Sequence, residues 1–264
     1  MVINISAKQK SDIGTVFKEY LRGRYSGGLK IKRIQGKKAR DDAFLAAYKR
    51  FSGCKAEAYK VATIYGIKVC PYCNINYTYV VKRGKKCVCR PDFDHFVAKT
   101  DCPKKALDIM NLIPCCQQCN SRVKHKKHFS RRSHIHPYYD DFDSCYRFDY
   151  RLRKKGLLSE SNLEILLNVL DSSGRTGKFI ADMELWPRYQ NHKDVVFSIM
   201  KRAQRYPINS KGFTKHYSKL VSKKNLIDLI YPELSCDIMN VSLGKLKKDI
   251  AMRVLTVMQS GGKI

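Results

Sequence analysis

Four cysteines in two C-x2-C pairs, Cys70-Pro-Tyr-Cys73 and Cys116-Gln-Gln-Cys119, bracket the stretch of this chain richest in reactive side chains. Thiolates at that spacing converge on one ion, and two such knuckles can close a tetrahedral zinc site. Four sulfur ligands leave no open position for water, so zinc there is structural. Such an ion contributes on the order of 10–16 kcal/mol of apparent free energy to a small domain. Asp94, His95 and Asn111 lie between the knuckles, and Asn120 follows the last cysteine. A carboxylate, an imidazole and amides are the groups a hydrolytic metal site uses. The oxygens of Asp94 and Asn120 suit magnesium or manganese rather than zinc.

The plainer readings are two unrelated buried cysteine pairs and an Asp-His pair that is only a surface or core feature. Cys87-Val-Cys89 is the rival zinc pair, but its single-residue spacing alternates like a strand. Cys115 sits beside Cys116, and only Cys116 completes C-x2-C with Cys119. His125, His128, His134 and His136 read as phosphate contacts or surface residues, since no partner motif accompanies them.

The elements that must position these residues can be traced along the chain. Ser11 and Asp12 are candidate caps for a first helix, whose apolar residues Ile13, Val16, Phe17, Tyr20 and Leu21 keep helical spacing. A second helix is expected from near Asp41, with Phe44, Tyr48 and Phe51 on one face, and a third over 55–65. Residues 77–81 and 87–96 are β-branched and aromatic around an Arg83-Gly84 turn, which predicts one hairpin ending at Asp94-His95. Pro91 cannot donate to a ladder, so the second strand is an edge or is broken there. Adjacent strand residues point to opposite faces, so Asp94 and His95 share a site only where the strand twists or ends. Asp92 would lie on the face of Asp94, as a reserve ligand, an orienter or a solvated residue. Residues 106–110 suggest a short helical piece and 117–127 a helix leaving the second knuckle.

In order, spacing and chemistry, Cys70-x2-Cys73, Phe93-Asp94-His95-Phe96, Asn111-Leu112 and Cys116-x2-Cys119-Asn120 resemble the HNH endonucleases, whose fold is called ββα-metal. The match covers roughly residues 67–130. The resemblance implies that Asp94 and Asn120 hold the catalytic magnesium or manganese, that His95 is the general base, and that Asn111 braces the loop and the histidine. Asn120 stands where the family name has histidine, which bears on metal preference. It also implies phosphodiester hydrolysis in nucleic acid, DNA favoured over RNA. The alternative is a zinc-dependent nucleic-acid-binding module without catalysis.

Charge agrees with a polyanionic partner. The chain has 264 residues, with 52 Lys and Arg against 23 Asp and Glu, a formal charge of +29. Such an excess costs self-repulsion in a compact fold and is most simply matched by nucleic acid. A membrane is disfavoured, for want of a long apolar run or a basic amphipathic helix. Arg122, Lys124, Lys126 and Lys127 follow Asn120 with no acidic residue among them; the plainer reading is a solvated face, but a position next to Asn120 favours phosphate contacts. The glycine-rich basic residues 22–38 read as a solvated linker or a phosphate track.

The expected class is α+β: a helical region over 1–66, the ββα-metal module with its four-cysteine zinc site over 67–135, and a mixed region over 136–264. In the last, Tyr146, Phe148, Tyr150 and Leu152 alternate with polar residues as a half-buried strand, with 163–170 as its partner. Two amphipathic helices follow, around Val195–Tyr206 and Leu243–Val257. Leu185-Trp186-Pro187-Arg188-Tyr189, His192-Lys193-Asp194-Val195-Val196 and Leu243-Gly244-Lys245-Leu246-Lys247-Lys248-Asp249-Ile250 resemble bacterial HNH proteins of anti-phage defence, the Septu type, which work with a partner ATPase. A phage- or mobile-element-encoded nuclease is the competing setting. Eleven cysteines, an odd number, and no signal-like apolar start fit a cytoplasmic, reducing location.

Overall fold

Ser6 caps the first helix, α1 (Ala7–Leu21): its hydroxyl accepts from Gln9 N–H while the Gln9 side chain bonds back to Ser6 N–H. This reciprocal pair satisfies two orphan donors and starts the helix ahead of the expected Ser11 and Asp12. The structure, a computed structural model, describes residues 2–22, 31–154, 156–206 and 222–260. Residues 23–30 of the basic glycine-rich stretch lie outside these. Helix α2 (Lys37–Gly53) starts before Asp41, and α3 (Lys55–Tyr65) follows at once. It stops at Gly66, whose φ of 64° is the left-handed position glycine tolerates.

The chain forms two compact units, Met1–Phe142 and Asp143–Ile264. The helical region and the module expected after it fall in the same unit because they share an aromatic core. Phe51 of α2 lies 5.0 Å from Phe17, 5.7 Å from Tyr20 and 5.7 Å from Phe93, ring centre to ring centre.

The expected single hairpin is two pairings. Strands β1 (Val81–Arg83) and β2 (Lys86–Cys89) form a short, exposed ribbon turning at Gly84, where φ is 56°. Pro91 then separates β2 from β3 (Asp92–His95). That strand pairs antiparallel with β4 (Leu112–Cys115) instead, Asp94 opposite Ile113 and His95 opposite Leu112. The break that proline imposes thus transfers Asp94 and His95 to a different, buried partner strand. In place of a helix over 106–110 there is a tight turn at Pro103–Lys105, followed by further turns. The helix expected over 117–127 is a wide, seven-residue π-type turn, Gln118–Lys124. It closes with the Asn120 C=O to His125 N–H bond and ends at His125, whose φ is 39°.

The second unit packs a hairpin, β5 (Tyr146–Leu152) and β6 (Leu163–Val169), against helices Lys193–Arg205 and Gly244–Gln259. The motifs noted there have packing reasons. A Cβ on Gly244 would meet Ile238 Cα at 2.7 Å, so only glycine fits. Lys245, 1% exposed, bonds Asp143 and Asp249, and Asp249 accepts from Phe148 N–H. Leu185 and Tyr189 are buried, with Tyr189 4.3 Å from Phe148. No helix among the described residues is long and apolar enough to cross a membrane.

Candidate active site and metal centre

The two knuckles meet. Cys70, Cys73, Cys116 and Cys119 are all buried, with their sulfurs within 4.8 Å of one another. Ligands at about 2.3 Å around a tetrahedral zinc stand about 3.8 Å apart, and Cys73 and Cys116 Sγ are 4.0 Å apart. The cluster can therefore hold a structural zinc ion. Its walls are built for thiolates: Ile75 N–H donates to Cys73 Sγ, while Cys119 N–H and the Asn76 amide donate to Cys116 Sγ. Hydrogen bonds from Cys119, Cys70 and Cys73 hold the Cys116 thiol far below its ordinary value, whereas burial pushes Cys70 well up. Cys115 is buried on β4 outside the cluster, and Cys87 and Cys89 lie on the ribbon.

Asp94 and His95 share a site despite being neighbours on one strand. Strand β3 ends at His95, and both residues line one cleft of about 500 Å³ with Tyr48, Lys99 and Asn120. Asp94, 6% exposed, accepts from Tyr72 Oη at 2.5 Å and Lys124 Nζ at 3.0 Å. His95 Nε2 lies 2.9 Å from Ala106 O. A carbonyl only accepts, so Nε2 carries the proton and Nδ1 is the basic nitrogen. Tyr48 packs edge-on to the imidazole at 4.4 Å. Burial pulls the His95 pKa to about 4, and the charges of Lys99 and Lys124 add to the fall. The ring is neutral at pH 7.

Asn111 stands one step behind. Its amide accepts from Val97 N–H and donates to Val97 O and Lys105 O, bracing the loop that presents Ala106 O to His95. Asn120 lines the cleft and donates Nδ2 to Asp92 Oδ2 at 3.1 Å. A carboxylate only accepts, so this bond fixes the nitrogen towards Asp92 and leaves Oδ1 as the atom Asn120 could offer a cation. Asp92, half-buried, thus orients the Asn120 amide.

Lys124 corrects the expectation of four phosphate contacts. It is 3% exposed and bonds Asp94 Oδ1 and His95 O, because the wide turn directs it inward beside Asn120. Arg122 and Lys126 are exposed, and Lys127 is half-buried. Lys126 and Lys127 line the cleft with His125 and His128. His134 and His136 are not surface groups: His134 stacks on Phe129 at 3.7 Å, and both are buried. Sequence reading missed Tyr72, Tyr48 and Lys99. Tyr72 carries a signal, its place inside the first knuckle; in sequence Tyr48 is only part of a helix face.

No family model, curated protein or solved structure matches the chain.

Proposed function

We propose that the protein is a metal-dependent endonuclease of HNH type that hydrolyses phosphodiester bonds in nucleic acid, DNA favoured. The observation that supports it most is the convergence of Asp94, His95 and Asn120 on one cation-rimmed cleft beside a buried four-cysteine cluster. The donor chemistry fits a hard divalent ion, with Asp94 and the Asn120 carbonyl as its ligands. When bound, magnesium or manganese would supply charge neutralisation at the scissile phosphate and the leaving oxygen. His95 Nδ1 takes the proton of the attacking water, its tautomer set by Ala106 O. Lys99, Lys126 and Lys127 hold neighbouring phosphates along the cleft.

One observation favours a second reading, a nucleic-acid-binding module without catalysis: Lys124 already supplies Asp94 with a counter-charge. The two readings separate when zinc-loaded protein is incubated with plasmid, single-stranded DNA and transfer RNA, with and without added magnesium or manganese. Cleavage that requires the added ion supports the nuclease; binding without cleavage under every condition supports the module. The defence setting and partner ATPase implied by the C-terminal resemblance gain nothing from Gly244, Lys245 and Tyr189, whose contacts serve packing.

A further inference from the structure

Beyond the catalytic cleft, a second cleft of about 420 Å³ opens beside the zinc cluster, lined by Tyr77, Tyr79, Arg90, Asp92 and Cys116 among others. Tyr77 and Tyr79 alternate outward from an extended segment whose middle residue, Thr78, is buried and bonded to Ile67 O. Their rings stack at 4.7 Å and 14°, yet each keeps nearly half its surface exposed, 47% and 49%. A stacked, solvent-facing aromatic pair is costly to leave in water and offers a flat face for another ring. Arg90 lines the same cleft, and Lys82, Arg83, Lys85 and Lys86 lie on the adjoining ribbon and its turn, with no acidic residue from Tyr77 to Pro91. A hydrogen-bonded pair links the linings of the two clefts: Asp92 lines this one and Asn120 the other.

We infer that Tyr77 and Tyr79 form a stacking platform for unpaired bases, with the β1–β2 ribbon holding the phosphates, so that a single strand runs past Asp92–Asn120 into the catalytic cleft. Aromatic faces and cations together are what single-stranded nucleic acid recognises, since every base has a π-face and every linkage a charge. The inference rests on the nuclease reading and names its substrate form: a strand with unpaired bases at or beside the cut.

The test is binding of a labelled single-stranded oligonucleotide, and of its duplex, to zinc-loaded protein without added divalent ion. Replacing both tyrosines, Tyr77→Ala with Tyr79→Ala, should weaken single-strand binding roughly 5- to 150-fold for each stacked base lost and leave duplex binding unchanged. Tyr77→Phe with Tyr79→Phe should retain affinity, because the ring and not the hydroxyl stacks. Unchanged single-strand binding in the alanine variant would overturn the inference. So would an equal loss on duplex, which would lay the ribbon in a groove, or an equal loss in the phenylalanine variant. A parent that binds single strands through the tyrosines but never cuts sinks the nuclease reading and the substrate role that rests on it, and leaves the platform as a binding site. A parent that cuts, with alanine variants that bind normally, sinks only the platform.

Discussion

Lys124 donates to Asp94 Oδ1 from 3.0 Å, at a place where the lysine is 3% exposed and the aspartate 6%. The same ammonium donates to His95 O at 2.8 Å, so one cation fixes both the carboxylate and the backbone of the imidazole. Charges this deeply buried depend on each other, and removing one strands its partner. Lys124→Met should lower stability by about 3–5 kcal/mol, read from urea unfolding of the zinc-loaded protein. Adding Asp94→Asn to it should recover part of the loss. An unchanged midpoint in the single variant would mean that the pair is not formed.

Burial also separates Lys124 from the other basic residues in its use of charge. Arg122 and Lys126 are exposed. If they contact phosphates, each loss flattens the slope of log affinity against log salt by about 0.7–0.9. Lys126→Ala should do so about equally across sequences, since phosphates carry no sequence information. Titration against a labelled duplex at several salt concentrations is the check. Slopes that do not change in Arg122→Ala or Lys126→Ala would leave these residues as a solvated face.

The cysteine register predicts a sharp difference between neighbours. Cys116→Ser should lose bound zinc and destabilise the first unit, because Cys116 is one of four converging sulfurs. Cys115→Ser should keep the metal, since that side chain lies outside the cluster. Metal content by elemental analysis decides, and zinc loss in Cys115→Ser with retention in Cys116→Ser would reverse the register.

Legibility in the sequence followed locality. The four cysteines, the helix over 55–65 and the β5–β6 pair are set by short-range spacing and alternation, and their residues could be named directly. The partner of β3 could not. Pro91 marked a break, but nothing local says that Asp92–His95 should pair with Leu112–Cys115. The inward turn of Lys124 is illegible for a similar reason: in a basic run one lysine looks like the next. Only the wide turn closing on Asn120 decides which of them points inward. Tyr48, packed on His95, reaches the site from α2, a relation only tertiary packing creates.

Acid should destabilise the first unit through buried neutral histidines. Burial holds the His136 pKa at about 4, against an ordinary 6.5, and His95 is lowered alike. The unfolded chain takes up protons near pH 6.5 while the folded chain stays neutral. Stability from His136 is thus complete above pH 6.5 and is lost as pH falls towards 4, by at most about 3 kcal/mol. Zinc release adds its own loss in acid, so the comparison is between parent and His136→Asn. The variant should show a shallower fall in unfolding free energy between pH 6.5 and 4; parallel curves would place the His136 titration elsewhere.

Hydrolysis by His95 is the claim on which the functional account depends. The most direct measurement is the rate of magnesium-dependent cleavage of one plasmid by the parent and by His95→Ala, at matched zinc content and thermal stability. The account predicts a cutting parent and a variant slowed roughly 10²–10⁴-fold, the range for loss of a general base. A variant that cuts at the parent's rate, or a zinc-loaded parent that cuts no nucleic acid with magnesium or manganese, would contradict it.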